Sequence, residues 1–214
     1  MYLPAHFAET DPAILKALIC AHPLGLLVSS SAEEVLANPV PFLLEETGDR
    51  VMLKAHLARA NPQWKHIREG ARVLVVFQGE EAYVAPSWYA SKQEHGKVVP
   101  TWNYAMVQAR GVAEVHEAPE WLLPQITAIT QTQENPRHEP WQVADAPDRF
   151  IDVQMRGIVG ISVAVTELTG KWKVSQNRSE ADRAGVVSGL SEAGHAAMAG
   201  MVAAGGARNK GDGS

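Results

Sequence analysis

Hydrophobic and polar positions along this chain fall into short runs divided by residues with strong turn preferences. Leu24–Ser30, residues 40–44 and residues 51–57 are rich in Val and Leu and set apart by Asn-Pro or Gly-Asp pairs, which predicts three early strands. Residues 73–77 and 82–85 read as two more strands around a Gln78-Gly79 turn. Thr101–His116 is the longest strand-like stretch, with Trp102, Tyr104 and Val107 among small and polar residues, and Gly111 marks a bulge within it. Residues 158–168 return to a β pattern through Val163, Val165 and Thr166.

Helices are announced by their caps. Thr10-Asp11-Pro12 predicts a helix to Ala21, since Thr or Asp can cap free amides and proline fits the first turn. Asn61-Pro62-Gln63-Trp64 starts a second, expected to end at Glu69-Gly70, where glycine suits a left-handed terminus. Residues 119–132 and 147–156 look helical, with a turn-rich connection over 134–141. Ser179 caps a short terminal helix whose first turn carries Glu180 and Asp182, and from Ala203 the Gly, Lys and Asp content predicts a frayed tail. Six or more short strands with helices inserted irregularly imply a mainly β, α+β fold, an antiparallel barrel and not a doubly wound parallel sheet. Residues 1–190 form the expected main domain, and 191–214 a helix end with a flexible tail.

Composition narrows the function classes. With 214 residues and 46% apolar content, the chain can bury one sizeable core. A single cysteine, Cys20, excludes a disulfide framework, and eight dispersed histidines without an HExxH pattern argue against a metal site. There is no G-x-S-x-G, no G-x-G-x-x-G opening a helix after the first strand, and no phosphate-binding G-x-x-x-x-G-K-[ST]. The opening Met1-Tyr2-Leu3-Pro4-Ala5-His6 lacks the basic and apolar runs of a secretion signal, and no stretch reaches the ~18 apolar residues of a membrane span, so a cytoplasmic location is expected. A net charge of −5 argues against a generally basic surface for nucleic acid, though not against one local basic face.

Three stretches carry candidate chemistry. Lys54 to Pro62 places Lys54, His56, Arg59 and Asn61 between a strand end and a helix start, an arrangement suited to a phosphate that Arg59 can grip bidentately. The plainer reading pairs Arg59 with a surface acid and leaves Asn61 as a helix cap. Around residues 85–104, Trp88, Tyr89, Trp102 and Tyr104 offer flat apolar area, while Ser87, Lys97, Thr101 and Asn103 offer hydrogen bonds, as an aromatic heterocycle requires. An aromatic core with turn residues around it is the alternative. In residues 170–179, Ser175, Gln176 and Asn177 either donate to a ligand, dock across a subunit boundary, or satisfy turn backbone groups.

Taken together, the runs His56-Leu57-Ala58-Arg59-Ala60-Asn61-Pro62-Gln63-Trp64, Pro86-Ser87-Trp88-Tyr89, the His95-Gly96-Lys97-Val98-Val99-Pro100-Thr101-Trp102-Asn103-Tyr104 segment and Lys171-Trp172-Lys173 with Ser175-Gln176-Asn177-Arg178 resemble the PaiB-type negative transcriptional regulators that bind flavin mononucleotide (FMN). The opening Met1-Tyr2-Leu3-Pro4 with His6-Phe7 is similar as well, and the resemblance runs to about Leu190. It implies a split β-barrel like that of pyridoxamine-phosphate oxidase, a homodimer, and FMN held between subunits. By that resemblance the flavin ring lies along Asn38, Val40, Pro41 and Phe42, and the phosphate near His56 through Asn61. Trp102 and Asn103, or Ser175 to Asn177, arrive from the partner chain. One position departs: Pro39 stands where the family pattern carries histidine, which removes a side-chain and a backbone donor.

The leading expectation is therefore a dimeric, FMN-binding negative regulator of transcription that acts on DNA directly or indirectly. The alternative is a flavin-dependent oxidoreductase in which His56, His95 or Tyr104 moves a proton. A barrel that binds little or nothing is the third reading.

Overall fold

The structure, a computed structural model, describes residues 1–67 and 70–208. Chain order runs β1 (Ala8–Glu9), α1 (Pro12–Ala21), β2 (Leu24–Ser30), β3 (Val35–Pro41), β4 (Leu43–Thr47), β5 (Arg50–Ala58), α2 (Gln63–Ile67) and β6 (Arg72–Val84). It continues with α3 (Ser91–His95), β7 (Thr101–His116), α4 (Pro119–Glu134), α5 (Asp148–Arg156), β8 (Ile158–Lys173), α6 (Glu180–Glu192) and α7 (Ala196–Arg208). The strands bond in the order β3-β2-β6-β7-β8-β5-β4, with β1 beside β8, so the path keeps two open ends. Five ladders, β1/β8, β2/β3, β2/β6, β4/β5 and β5/β8, are antiparallel. The α+β class expected from the irregular mixture of strands and helices is the one observed.

Two compact units divide the chain: one comprises Met1–Leu15, Gln78–Val107 and the residues from Thr169 onward, the other Lys16–Phe77 and Gln108–Leu168. In the second unit β5 shows why alternation matters. Leu53, Ala55 and Leu57 are buried, which turns Lys54 and His56 to the opposite face. Phe42 packs edge-to-face on Phe77 with centroids 5.8 Å apart. Gly111 lies where a Cβ would come within 2.3 Å of the Ala164 carbonyl, so its value here is close strand approach.

In the first unit Ala82, Val84, Tyr89, Val174, Val186, Leu190, Met198, Ala199 and Val202 form a continuous core. Ser179 caps α6 by accepting from the Asp182 amide at 3.1 Å. On α6, Gly185 and Gly189 leave room for Trp88, whose ring atoms stand 2.3 Å from where a Gly189 Cβ would be.

Several expectations need correction. Residues 40–44 are not one strand but the end of β3 and the start of β4, because Phe42 turns inward and spends its amide on the Pro23 carbonyl. Gln78 and Gly79 are not a turn: β6 runs unbroken through them for 13 residues. β8 extends to Lys173, so the third polar stretch begins inside a strand. Of the tail expected to fray from Ala203, residues 203–208 are helical in α7, which Met198, Ala199 and Val202 anchor in the first unit's core, and residues 209–214 lie outside the described residues. The expected end of α2 includes Glu69, which lies outside the described residues, while Gly70 has φ +73° as a left-handed terminus requires.

Candidate functional site

β5 sets out the second unit's polar groups. Lys54 lies opposite Ser162 of β8 and His56 opposite Gly160. Because Gly160 has no side chain, Trp121 of α4 settles there, its ring 2.2 Å from where a Cβ would stand. Trp121 stacks on His116 with centroids 4.2 Å apart and planes 7° from parallel. His116 Nε2 lies 2.7 Å from Ser162 Oγ, and His56 Nδ1 lies 2.9 Å from Gln125 Oε1. Gln125 is 3% exposed and its Nε2 has no partner. Burial pulls the His116 pKa below its ordinary value, with Lys54 adding to the effect and Glu114 opposing it. Lys54 is ion-paired with Glu45 at 2.6 Å.

At the strand's end the chain turns into α2, and the polar residues there are heavily engaged. Arg59 donates from Nη1 to Glu117 Oε2 at 2.6 Å, from Nε to the Arg156 carbonyl at 3.0 Å and from Nη2 to the Ile158 carbonyl at 3.2 Å. Asn61 Oδ1 accepts from the Gln63 amide at 2.9 Å, as a cap does. Gln63 is fully buried; its Nε2 donates to the Leu27 carbonyl and to Ser29 Oγ, and its Oε1 accepts from Asn38 at 2.9 Å. That network clamps α2 to β2 and β3. Val40 and Phe42 are buried, whereas Pro41 is exposed on β3, an end strand of the sheet path.

The remaining expected residues lie in the first unit. Asn103, fully buried, donates to Ser175 Oγ at 2.9 Å and accepts from it at 3.2 Å. Ser175 has φ +61°, the one non-glycine residue with positive φ among the described residues. Gln176 closes the same turn, accepting from the Val174 amide and donating to the Trp172 carbonyl. Asn177, Ser87 and Lys97 are exposed, and Trp102 is 53% exposed in a T-shaped contact with Tyr83, centroids 6.0 Å apart. Asn38, Val40, Pro41, Phe42, Lys54, His56, Arg59 and Asn61 thus belong to one unit, and Ser87, Lys97, Trp102, Asn103, Ser175, Gln176 and Asn177 to the other.

Sequence reasoning missed His116, Trp121, Gln125 and Ser162, which gather around Lys54 and His56. The β5/β8 register brings Ser162, β7 brings His116 and the packing of α4 brings Trp121 and Gln125, all contacts between residues far apart in the chain that leave no local signal. Among the described residues no group of His, Cys, Asp and Glu is placed to hold a metal, and no helix is long and apolar enough to cross a membrane.

Known proteins resemble this chain in sequence and in fold. The model of the family described as "Putative FMN-binding domain" matches residues 1–167. The protease synthase and sporulation protein PAI 2 of Bacillus subtilis is 30% identical over 89% of this chain and 89% of its own length. An uncharacterized protein of Emericella nidulans is 34% identical over 91% of this chain and 92% of its own. Among solved structures, the FAD and heme binding protein of Mycobacterium smegmatis superposes with a TM-score of 0.56 at 16% identity, covering 78% of this chain and 73% of that one. The flavocytochrome Anf3 of Azotobacter vinelandii gives 0.54 at 16% identity, covering 78% and 69%. At such identities these two establish the fold alone. The match over residues 1–167, joined to the similarity to PAI 2, places the chain in the PaiB-type FMN-binding family, whose cofactor is FMN.

Proposed function

We propose that the protein is a dimeric, FMN-binding regulatory protein of PaiB type that acts in the cytoplasm. The observation that carries this reading is the family match over residues 1–167 together with 30% identity to a relative named for protease synthesis and sporulation. A net charge of −5 favours regulation through another molecule over direct, charge-driven contact with DNA.

The second unit offers groups that fit the cofactor. β3 ends the sheet path, and an end strand presents unpaired backbone groups. Prolines in such strands sit with the missing donor facing outward, so Pro39 and Pro41 leave carbonyls there to accept from the flavin imide N–H. Asn38, fixed by Gln63, borders that edge. Residues 56–61 supply the cation for the phosphate through Arg59, in competition with Glu117. FMN, when bound, supplies reversible electron transfer; the chain's residues orient it. Leu24, Leu26 and Val35 are 63%, 40% and 68% exposed, an apolar surface on β2 and β3 that a second copy would cover.

Adding FMN to the purified protein and recording flavin absorbance and fluorescence tests this reading, with light scattering for assembly. Saturable binding by a species of twice the 23.2 kDa chain mass is expected. Absence of binding at micromolar FMN would remove the reading, and a particle of single-chain mass would remove the dimer. Steady NADH oxidation above the free-FMN rate would favour an oxidoreductase instead.

A further inference from the structure

The last strand of the first unit ends in a concentration of positive charge that the FMN reading does not use. Lys171 is 8% exposed, donates to the Tyr2 carbonyl at 3.1 Å and lies 5.4 Å from the Tyr104 ring centroid. Lys173 donates to Thr101 Oγ1 and to the Trp102 carbonyl. Arg178 lies 4.7 Å from the centroid of the buried Tyr89 ring. Among the described residues, no carboxylate makes an ion pair with any of the three. Asp182 attracts Arg178 and also accepts from the Ser91 amide and hydroxyl, each at 2.9 Å.

Between these groups is a cavity of about 50 Å³, lined by Phe7, Thr101, Asn103, Lys173, Ser175, Asn177 and Arg178. A single water needs ~10–15 Å³, so the space holds more than one water. It is far below the ~300 Å³ at which pockets for whole organic ligands begin. A tetrahedral oxyanion matches both the size and the lining. The lining pairs two cations with the amide of Asn103 and the hydroxyls of Thr101 and Ser175. Ser175, held at positive φ, keeps its hydroxyl on Asn103 at the cavity wall. Lys173 and Arg178 repel each other at one small polar cavity, and an anion seated there relieves that repulsion.

We propose that this cavity is a binding site for a phosphate group, with Lys173 and Arg178 supplying charge and Asn103, Ser175 and Thr101 fixing orientation. With free phosphate as occupant the site stands apart from the FMN reading; with the phosphate of FMN as occupant it rests on that reading and takes the role given there to Arg59. Burial first, and then Lys171 and Arg178, hold the Lys173 pKa below its ordinary value, and an anion seated beside it would favour the charged amine. Two sources share the chemistry: free phosphate or a small phosphorylated metabolite, and the phosphate of FMN.

Thermal unfolding in millimolar inorganic phosphate, against chloride at equal ionic strength, reads the first source. FMN and riboflavin titrations read the second. For a free phosphate, the wild type gains thermal stability that Lys173→Met and Arg178→Gln each abolish, while FMN affinity is unchanged. For the FMN phosphate, each variant lowers FMN affinity about tenfold or more and leaves riboflavin unchanged, a loss of the size expected for charge-assisted hydrogen bonds. Phosphorus NMR line broadening of inorganic phosphate by the wild-type protein supplies a readout that needs no variant. The proposal is overturned if the wild type neither broadens nor is stabilised by phosphate and both folded variants bind FMN as the wild type does.

Discussion

Arg59 and Glu117 are joined at 2.6 Å, and two backbone carbonyls, of Arg156 and Ile158, take the remaining guanidinium edges. The residue best suited to a phosphate therefore already has an internal anion. Both members are about 40% exposed, so the pair itself is worth about 0.5–1 kcal/mol.

That competition has a measurable sign. If Arg59 serves the FMN phosphate, Glu117→Gln removes the rival and tightens FMN binding about twofold to fivefold, the equivalent of the pair's worth. Riboflavin affinity should not move. Fluorescence titration of both ligands checks this; equal changes for both, or none, would return Arg59 to a purely structural role.

Gly160→Ala probes how the α4 cover is seated. The added methyl meets the Trp121 ring at 2.2 Å, so the ring must leave or α4 must lift. Destabilisation of about 1–3 kcal/mol is expected from overpacking, visible as a lower urea midpoint. The His116–Trp121 stack should loosen with it, seen as a change in tryptophan fluorescence. An unchanged midpoint would show that α4 is not held by this contact.

What could be read from the sequence divides by range of interaction. α1, β2 and β7 stand where Thr10-Asp11-Pro12, the Leu-rich run and the long alternation put them, since caps and alternation are local. The turn at Gln78-Gly79 failed because β6 runs on as one 13-residue strand placed between β2 and β7, and sheet context outweighs the local preference of one glycine. Lys54 and His56 were legible as chemistry; their neighbours His116, Gln125 and Ser162 were not, because the β5/β8 register and the packing of α4 bring them there. Arg59 shows the opposite case, a residue whose chemistry was legible while its partner Glu117, 58 positions on, was not.

From Ala203 the chain reads as a tail by composition, yet residues 203–208 belong to α7, a core element by packing. Met198 and Val202 are fully buried against residues of α6 and the first unit's strands. Met198→Ala should lower unfolding free energy by about 2–5 kcal/mol, the transfer and cavity cost of a buried side chain. Chemical denaturation gives the value directly. A loss under 0.5 kcal/mol would mean that α7 frays readily.

The last prediction follows from His116. Its imidazole is held largely neutral in the folded protein, because burial disfavours the cation, Lys54 adds repulsion, and Glu114 offsets only part of this. In the unfolded chain a histidine titrates near pH ~6.5. Below that value the unfolded state binds a proton that the folded state resists, so stability falls as pH is lowered from about 6.5 and levels off once the folded imidazole is also protonated. Above about pH 7 both states are neutral and His116 adds no pH dependence. Replacing it by glutamine keeps a hydrogen-bonding group for Ser162 Oγ without a titrating ring. Urea unfolding across pH 5 to 8 should then show a shallower decline on the acid side for His116→Gln than for the wild type. Parallel curves would mean that another group sets the acid limb, and that the burial of His116 has no consequence for folding.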